Sequence, residues 1–128
     1  MSPEDIPPGA PQAAEHAHGA FENAVDEVGD RWSLLIVWAA AHGTTRFDDF
    51  HRDLNVARNI LSNRLRRLVD LGILEKRPVR DGARRMEYAL TIKGMALRDV
   101  LGELMAWGRA WGRKFPAEVG AGAGARRS

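Results

Sequence analysis

Residues 57–90 read ARNILSNRLRRLVDLGILEKRPVRDGARRMEYAL, and the change of period inside this stretch decides the fold. From Ala57 to Leu71 the apolar residues Leu61, Leu65 and Leu68 recur at helical spacing, and Gly72 ends the run. From Ile73 to Val79 and from Arg85 to Leu90 apolar and polar residues alternate instead, and Arg80-Asp81-Gly82 between them is a turn signal. The pattern predicts a helix followed at once by a β-hairpin, with Ile73, Met86, Tyr88 and Leu90 turned to one face. On a helical projection with Leu61 at zero, Leu65 and Leu68 fall within about 40°, whereas Asn59, Ser62, Asn63 and Arg66 fall between about 100° and 200°. An apolar stripe and a polar face therefore oppose each other on this helix.

Upstream, Phe47, Phe50 and Leu54 repeat at i, i+3 and i+7 in a short helix that Thr45, with Asp48 three residues later, is placed to open. Arg31 to His42 is apolar on nearly every side, which predicts a central core helix capped by Asp30 and ended by Gly43. A first helix, roughly Phe21 to Val28, carries Phe21, Ala24, Val25 and Val28 on one face. Downstream, Thr91 is placed to cap a long helix to about Phe115. Its Leu97, Val100, Leu101, Leu104, Met105, Trp107 and Trp111 form an apolar face wider than one core contact requires, so a partner surface is expected there. Two short helices joined by a tight turn before a basic hairpin make a winged helix-turn-helix, mainly α with one small hairpin. The domain is expected over 19–115. Residues 1–18 and 116–128, rich in Pro, Ala and Gly, read as disordered tails.

A chain of 128 residues fits one domain, and 45% hydrophobic with 28% charged residues is an ordinary globular composition. The absence of cysteine excludes disulfides, zinc-thiolate sites, iron-sulfur clusters and thiol switches. The longest apolar run, Leu34 to Ala41, falls far short of the roughly 20 residues that span a bilayer. Met1 to Gln12 carries Glu4, Asp5 and four prolines with no basic cluster, unlike a secretory signal. A cytoplasmic protein without membrane association is expected.

Charge is unevenly distributed. Residues 1–30 hold seven acids and no Lys or Arg, while 55–85 hold nine bases against three acids. Sixteen of the 19 bases are Arg, whose planar fork suits phosphates and guanine edges. This is the footprint of a nucleic-acid-binding surface. The second helix of a helix-turn-helix presents its N-terminal residues to base edges in the major groove, which makes Arg58, Asn59, Ser62 and Asn63 the candidate readers. Arg64, Arg66 and Arg67 are better placed for phosphates, and Arg77, Arg80, Arg84 and Arg85 of the hairpin for the adjacent backbone or minor groove.

Other chemistries find little support. His16 and His18 do not face each other on a helix, so these two with His42 and His51 are a poor metal set. The acids Glu22, Asp26, Glu27 and Asp30 read as a solvated face beside a basic domain. No phosphate loop, nucleophile elbow or metal-ligand motif is present, and neither catalysis nor a cofactor is expected. Trp107 and Trp111 suit interface packing, with an aromatic effector held near Trp38, Trp107 and Trp111 as the alternative.

The runs Val28-Gly29-Asp30-Arg31-Trp32-Ser33-Leu34-Leu35-Ile36, Arg46-Phe47-Asp48-Asp49-Phe50, Leu61 to Leu68 with Leu71 to Leu74, and Glu87-Tyr88-Ala89-Leu90-Thr91 with Gly94 resemble the HxlR-type winged helix-turn-helix regulators over about residues 19–112. The G-x-x-W opening and the E-Y-x-L-T exit are the more specific pieces. The resemblance implies a small bacterial regulator of transcription that binds double-stranded DNA as a homodimer, each subunit reading half of a roughly palindromic operator. The first and last helices make the dimer, with Phe21, Val25, Leu101, Leu104, Met105, Trp107 and Trp111 as its residues. Repression is the expected mode. A winged helix turned protein-interaction module, and a sensor holding a small-molecule effector at the dimer interface, are the alternatives. Three departures stand out. Gly19 and Ala20 replace the family's common Cys-Pro, Ala57 replaces the Ser usual at the start of the reading helix, and Ala83 and Arg84 stand where a Pro usually precedes the second wing strand.

Overall fold

The computed structural model describes residues 10–113, with side chains from residue 17 onward. Five helices and one two-stranded sheet follow in the order α1 (Ala10–Val28), α2 (Arg31–Ala41), α3 (Phe47–Leu54), α4 (Arg58–Asp70), β1 (Leu74–Pro78), β2 (Met86–Leu90) and α5 (Ile92–Trp111). The chain divides after Asp30 into two compact units, α1 in the first and the remaining elements in the second.

In the first unit α1 begins at Ala10, not near Phe21, and so takes in part of the stretch expected as a tail. The Ala-rich run from Ala10 is made of strong helix formers, and Pro11 falls in the first turn, where its missing amide costs nothing.

The second unit is a winged helix. Its core joins Ile36 and Val37 of α2, Phe50 of α3, Val56 of the turn, Leu61, Leu65 and Leu68 of α4, then Ile73, Leu74 and Leu101, all buried. As its apolar girth predicts, α2 is central and packs against α3, α4, α5 and β2. The strands pair antiparallel in the register Leu74↔Leu90, Lys76↔Tyr88 and Pro78↔Met86. The expected turn forms as Ala83 N donates to Arg80 O at 3.0 Å.

One cap differs from expectation. Thr45 does not cap α3, whose N-cap is Arg46 without a side-chain bond. The Thr45 carbonyl instead accepts from Tyr88 N at 2.7 Å, so the residue is spent on holding the wing's second strand. Ala57 caps α4 with no side-chain bond either. Thr91 does cap α5, its Oγ1 accepting from Gly94 N at 3.1 Å while its amide donates to Ile73 O at 3.0 Å. α5 ends at Trp111 with Gly112 as its C-cap, short of the expected Phe115, which itself lies outside the described residues.

The wing is thus bolted to the start of α5. A Cβ on Gly94 would meet Ile73 O at 2.3 Å, a backbone atom that cannot swing aside. Gly94→Ala is expected to cost about 1–3 kcal/mol, read as a lower urea midpoint with unchanged slope. Gly72, at φ 76°, makes the left-handed turn that lets β1 follow α4 directly, and Lys93 Nζ closes it by donating to Leu71 O at 2.7 Å.

Candidate nucleic-acid interface

Residues 55–57 link α3 to α4. Asn55 stands in the left-handed region at φ 51°, which Asn tolerates, and ends α3. Buried Val56 pins the turn from below, and its carbonyl accepts from His51 Nδ1 at 2.7 Å. The turn therefore fixes the angle at which α4 leaves.

Leu61, Leu65 and Leu68 hold α4 on the core, so Arg58, Asn59, Ser62 and Asn63 come out exposed together, with Arg66 and Arg67 farther along. Two of these are already engaged. Arg58 Nη1 donates to Asp48 Oδ1 at 3.1 Å and its Cζ lies 5.6 Å from the Phe47 ring centroid. Arg64 Nη1 donates to Asn63 Oδ1 at 2.7 Å, which leaves the Asn63 amide to act as a donor.

Strand alternation sorts the wing. Lys76 and Tyr88 are cross-strand partners on the face turned to α4, where they line a small cavity of about 150 Å³ with Ser62, Arg66 and Val69. Lys76 Nζ stands 5.8 Å from the Tyr88 ring centroid. Arg77 and Glu87 are partners on the opposite face and pair at 3.5 Å. Arg77, expected among the wing's DNA contacts, is therefore not brought to the α4 side. Lys76, which was not singled out in the sequence, is; the signal was available in the period of two, once the register is known.

A second cleft of about 510 Å³ adjoins the first through the same Lys76 and Tyr88 and gathers Arg46, Phe47, Asp48, Asp49 and Arg85. Arg46 is the other residue that sequence reasoning left unassigned. From Arg46 past Lys76 to Arg66 the molecule presents one polar ledge with cations on both sides of a ring, and Arg80 and Arg84 stand exposed in the loop at its tip. On α3, Arg52 lies between Asp53 at 3.0 Å and Asp49 at 3.2 Å. The hydrogen bond to Asp53 and then the charges of both acids push its pKa upward, so it stays a cation at any working pH.

On α1, Phe21 and Val25 are exposed. On α5, Val100, Leu104, Trp107 and Trp111 are exposed at the alternating 4-3-4 spacing of a heptad seam, Trp107 by 62% and Trp111 by 78%, with Met105 partly exposed beside them. Leu101, expected in that interface, is instead only 5% exposed and belongs to the core, because it lies about a quarter of a turn round the helix from the seam, against α2. Trp38 lines an apolar groove of about 200 Å³ with Leu34, Leu35, Leu101, Leu104 and Met105, and Trp107 and Trp111 are not part of its lining.

The histidines serve separate local ends: His18 pairs with Glu22 at 3.1 Å, His42 Nδ1 donates to Trp38 O at 2.8 Å, and His51 holds the turn. Among the described residues no three His, Cys, Asp or Glu stand together as metal ligands, and no helix is long and apolar enough to cross a membrane.

Comparison with known proteins agrees with the geometry. The family model of the HxlR-like helix-turn-helix matches residues 27–115. The HTH-type transcriptional regulator YvaP of Bacillus subtilis strain 168 is 38% identical over 92 residues, 71% of this chain and 85% of that protein. The HTH-type transcriptional regulator MT3179 of Mycobacterium tuberculosis strain CDC 1551 / Oshkosh is 42% identical over 85 residues, 66% of this chain but only 54% of its own length, so the chain spans about half of that relative. The crystal structure of PA1607 superposes with a TM-score of 0.66 at 42% identity, covering 70% of this chain and 63% of that one. With the turn, the exposed helix and the basic wing all falling inside the matched segment, the chain belongs to the HxlR-like helix-turn-helix family of transcription regulators.

Proposed function

We propose that this protein is a sequence-specific regulator that binds a palindromic operator as a homodimer and represses transcription, acting in the cytoplasm without enzymatic activity. The observation that carries the reading is the exposed face Arg58-Asn59-Ser62-Asn63 of α4, anchored from behind by three buried leucines and flanked by the cationic ledge. In this reading α4 enters the major groove, Asn59 and Asn63 meet base edges, and Arg66, Lys76 and Arg85 take phosphates on either side. The exposed heptad seam of α5 supports pairing of two copies, with Phe21 and Val25 of α1 adding to the interface. Occupying an operator with such a dimer blocks polymerase, which makes repression the direct consequence.

Selection of bound duplexes from a random pool, followed by sequencing, tests this. The reading expects a symmetric motif with half-sites one helical turn, about 34–36 Å, apart. Enrichment of no motif would contradict it. Within the same reading, Lys76→Ala removes one phosphate contact from each subunit, so it is expected to weaken every duplex alike and reduce the salt slope of the dimer by about 1.8, whereas Arg77→Ala leaves both nearly unchanged.

A second reading, a sensor for an apolar small molecule, is favoured by the groove around Trp38. Saturable quenching of Trp38 fluorescence that moves with operator affinity would support it.

A further inference from the structure

The Arg58–Asp48 pair has a feature that base reading alone does not explain. Arg58 is the first residue of α4, the end that meets base edges, yet in the free protein its guanidinium is held by a carboxylate from the first turn of α3 and lies over Phe47. Asp48 also faces the cleft that holds Arg46, Lys76 and Arg85. Its carboxylate thus stands among cations in the cleft beside the first residue of α4.

We propose that Asp48 sets the stringency of DNA selection by acting as a built-in competitor for Arg58. The inference rests on the DNA-binding reading above. Any duplex offers phosphates, but a phosphate arriving at this ledge must displace the Asp48 carboxylate from Arg58 and then sit beside it, like charge against like. A guanine edge at the right step gives Arg58 a neutral two-bond partner in exchange for its single bond to Asp48, without bringing a second negative charge against that carboxylate as a phosphate does. The pair is exposed, 60% at Arg58 and 81% at Asp48, so it is weak enough to open on binding. Asp48 remains favourable at the N-terminal turn of α3 after Arg58 leaves, because the helix dipole supports a negative charge there. The competitor therefore discriminates without trapping the reader.

The test uses the full chain, the duplex enriched from the random pool, and a shuffled duplex of the same composition, across a salt series. Asp48→Asn keeps the side-chain shape and removes the charge. It is expected to raise affinity for the shuffled duplex about three- to tenfold and to steepen its salt slope by about 1.8 as the two Arg58 side chains of the dimer are released onto phosphate, with a smaller gain on the enriched duplex. Selectivity therefore falls. In an Arg58→Ala background the gain should disappear. Asp49→Asn makes the same charge change one residue away, at an acid that pairs with Arg52 at 3.2 Å, and is expected to leave selectivity unchanged. If wild type is selective but the Asp48→Asn gain is absent, persists without Arg58, or is matched by Asp49→Asn, the competitor role is overturned and the DNA-binding reading survives. A wild type with no selectivity overturns both.

Discussion

Replacing Val100 and Trp107 together by glutamate is expected to turn a dimer into monomers and to lower operator affinity by about a hundredfold or more. Both side chains are exposed on the α5 seam, 60% and 62%, and neither contributes to the core. In an isologous pair each substitution appears twice, so four carboxylates would be forced into one apolar interface. Monomers would still carry an intact α4 and wing, but each half-site would then be bound without the effective concentration that tethering supplies, typically a factor of about 10² to 10⁴. Sedimentation at micromolar concentration reads the association state, and far-ultraviolet circular dichroism shows that the fold is retained. A double variant that stays dimeric, or a monomer that binds as tightly as wild type, would remove the role assigned to α5.

The second large effect is expected at the reading face. Asn59→Ala with Asn63→Ala should abolish preference at particular base pairs while leaving affinity for shuffled DNA nearly intact. Each good contact to a base edge contributes about 1–3 kcal/mol of discrimination, and a symmetric dimer makes both of them twice, so a loss of about a thousandfold in the ratio of specific to non-specific affinity follows even at the lower figure. The bond from Arg64 to Asn63 Oδ1 sharpens the expectation. With its oxygen engaged, Asn63 offers its amide donors, so the base it meets should present acceptors in the major groove, as guanine does through N7 and O6. The variant proteins should keep wild-type stability, because both positions are exposed. Equal loss on all sequences would move these residues from reading to phosphate contact.

What the sequence makes legible here is what depends on local period and on single-residue chemistry. The stripe Leu61, Leu65 and Leu68 is buried as its spacing requires, the hairpin turns at Arg80 to Ala83, and Thr91 caps α5. The features that escape are those settled by tertiary partners. Thr45 and Asp48 have the spacing of a helix-opening pair, but the Thr45 carbonyl is taken by Tyr88 and the Asp48 carboxylate by Arg58, partners 43 and ten residues away. Arg77 and Lys76 are adjacent cations that only the strand register separates, one paired outward with Glu87 and the other turned to α4. Leu101 and Leu104 belong to one apolar face in projection, yet the packing of α5 on α2 buries the first and exposes the second. The early start of α1 follows from helix propensity alone, which an amphipathic count does not register.

The most direct test of the central claim is binding of the purified chain to DNA from upstream of its own gene and the neighbouring genes, beside a shuffled duplex of equal length, from low to physiological salt. The account predicts tight binding to one upstream segment, a two-fold symmetric footprint, and affinity that falls linearly with the logarithm of salt concentration. Weak binding that is equal on both duplexes at every salt concentration would contradict it.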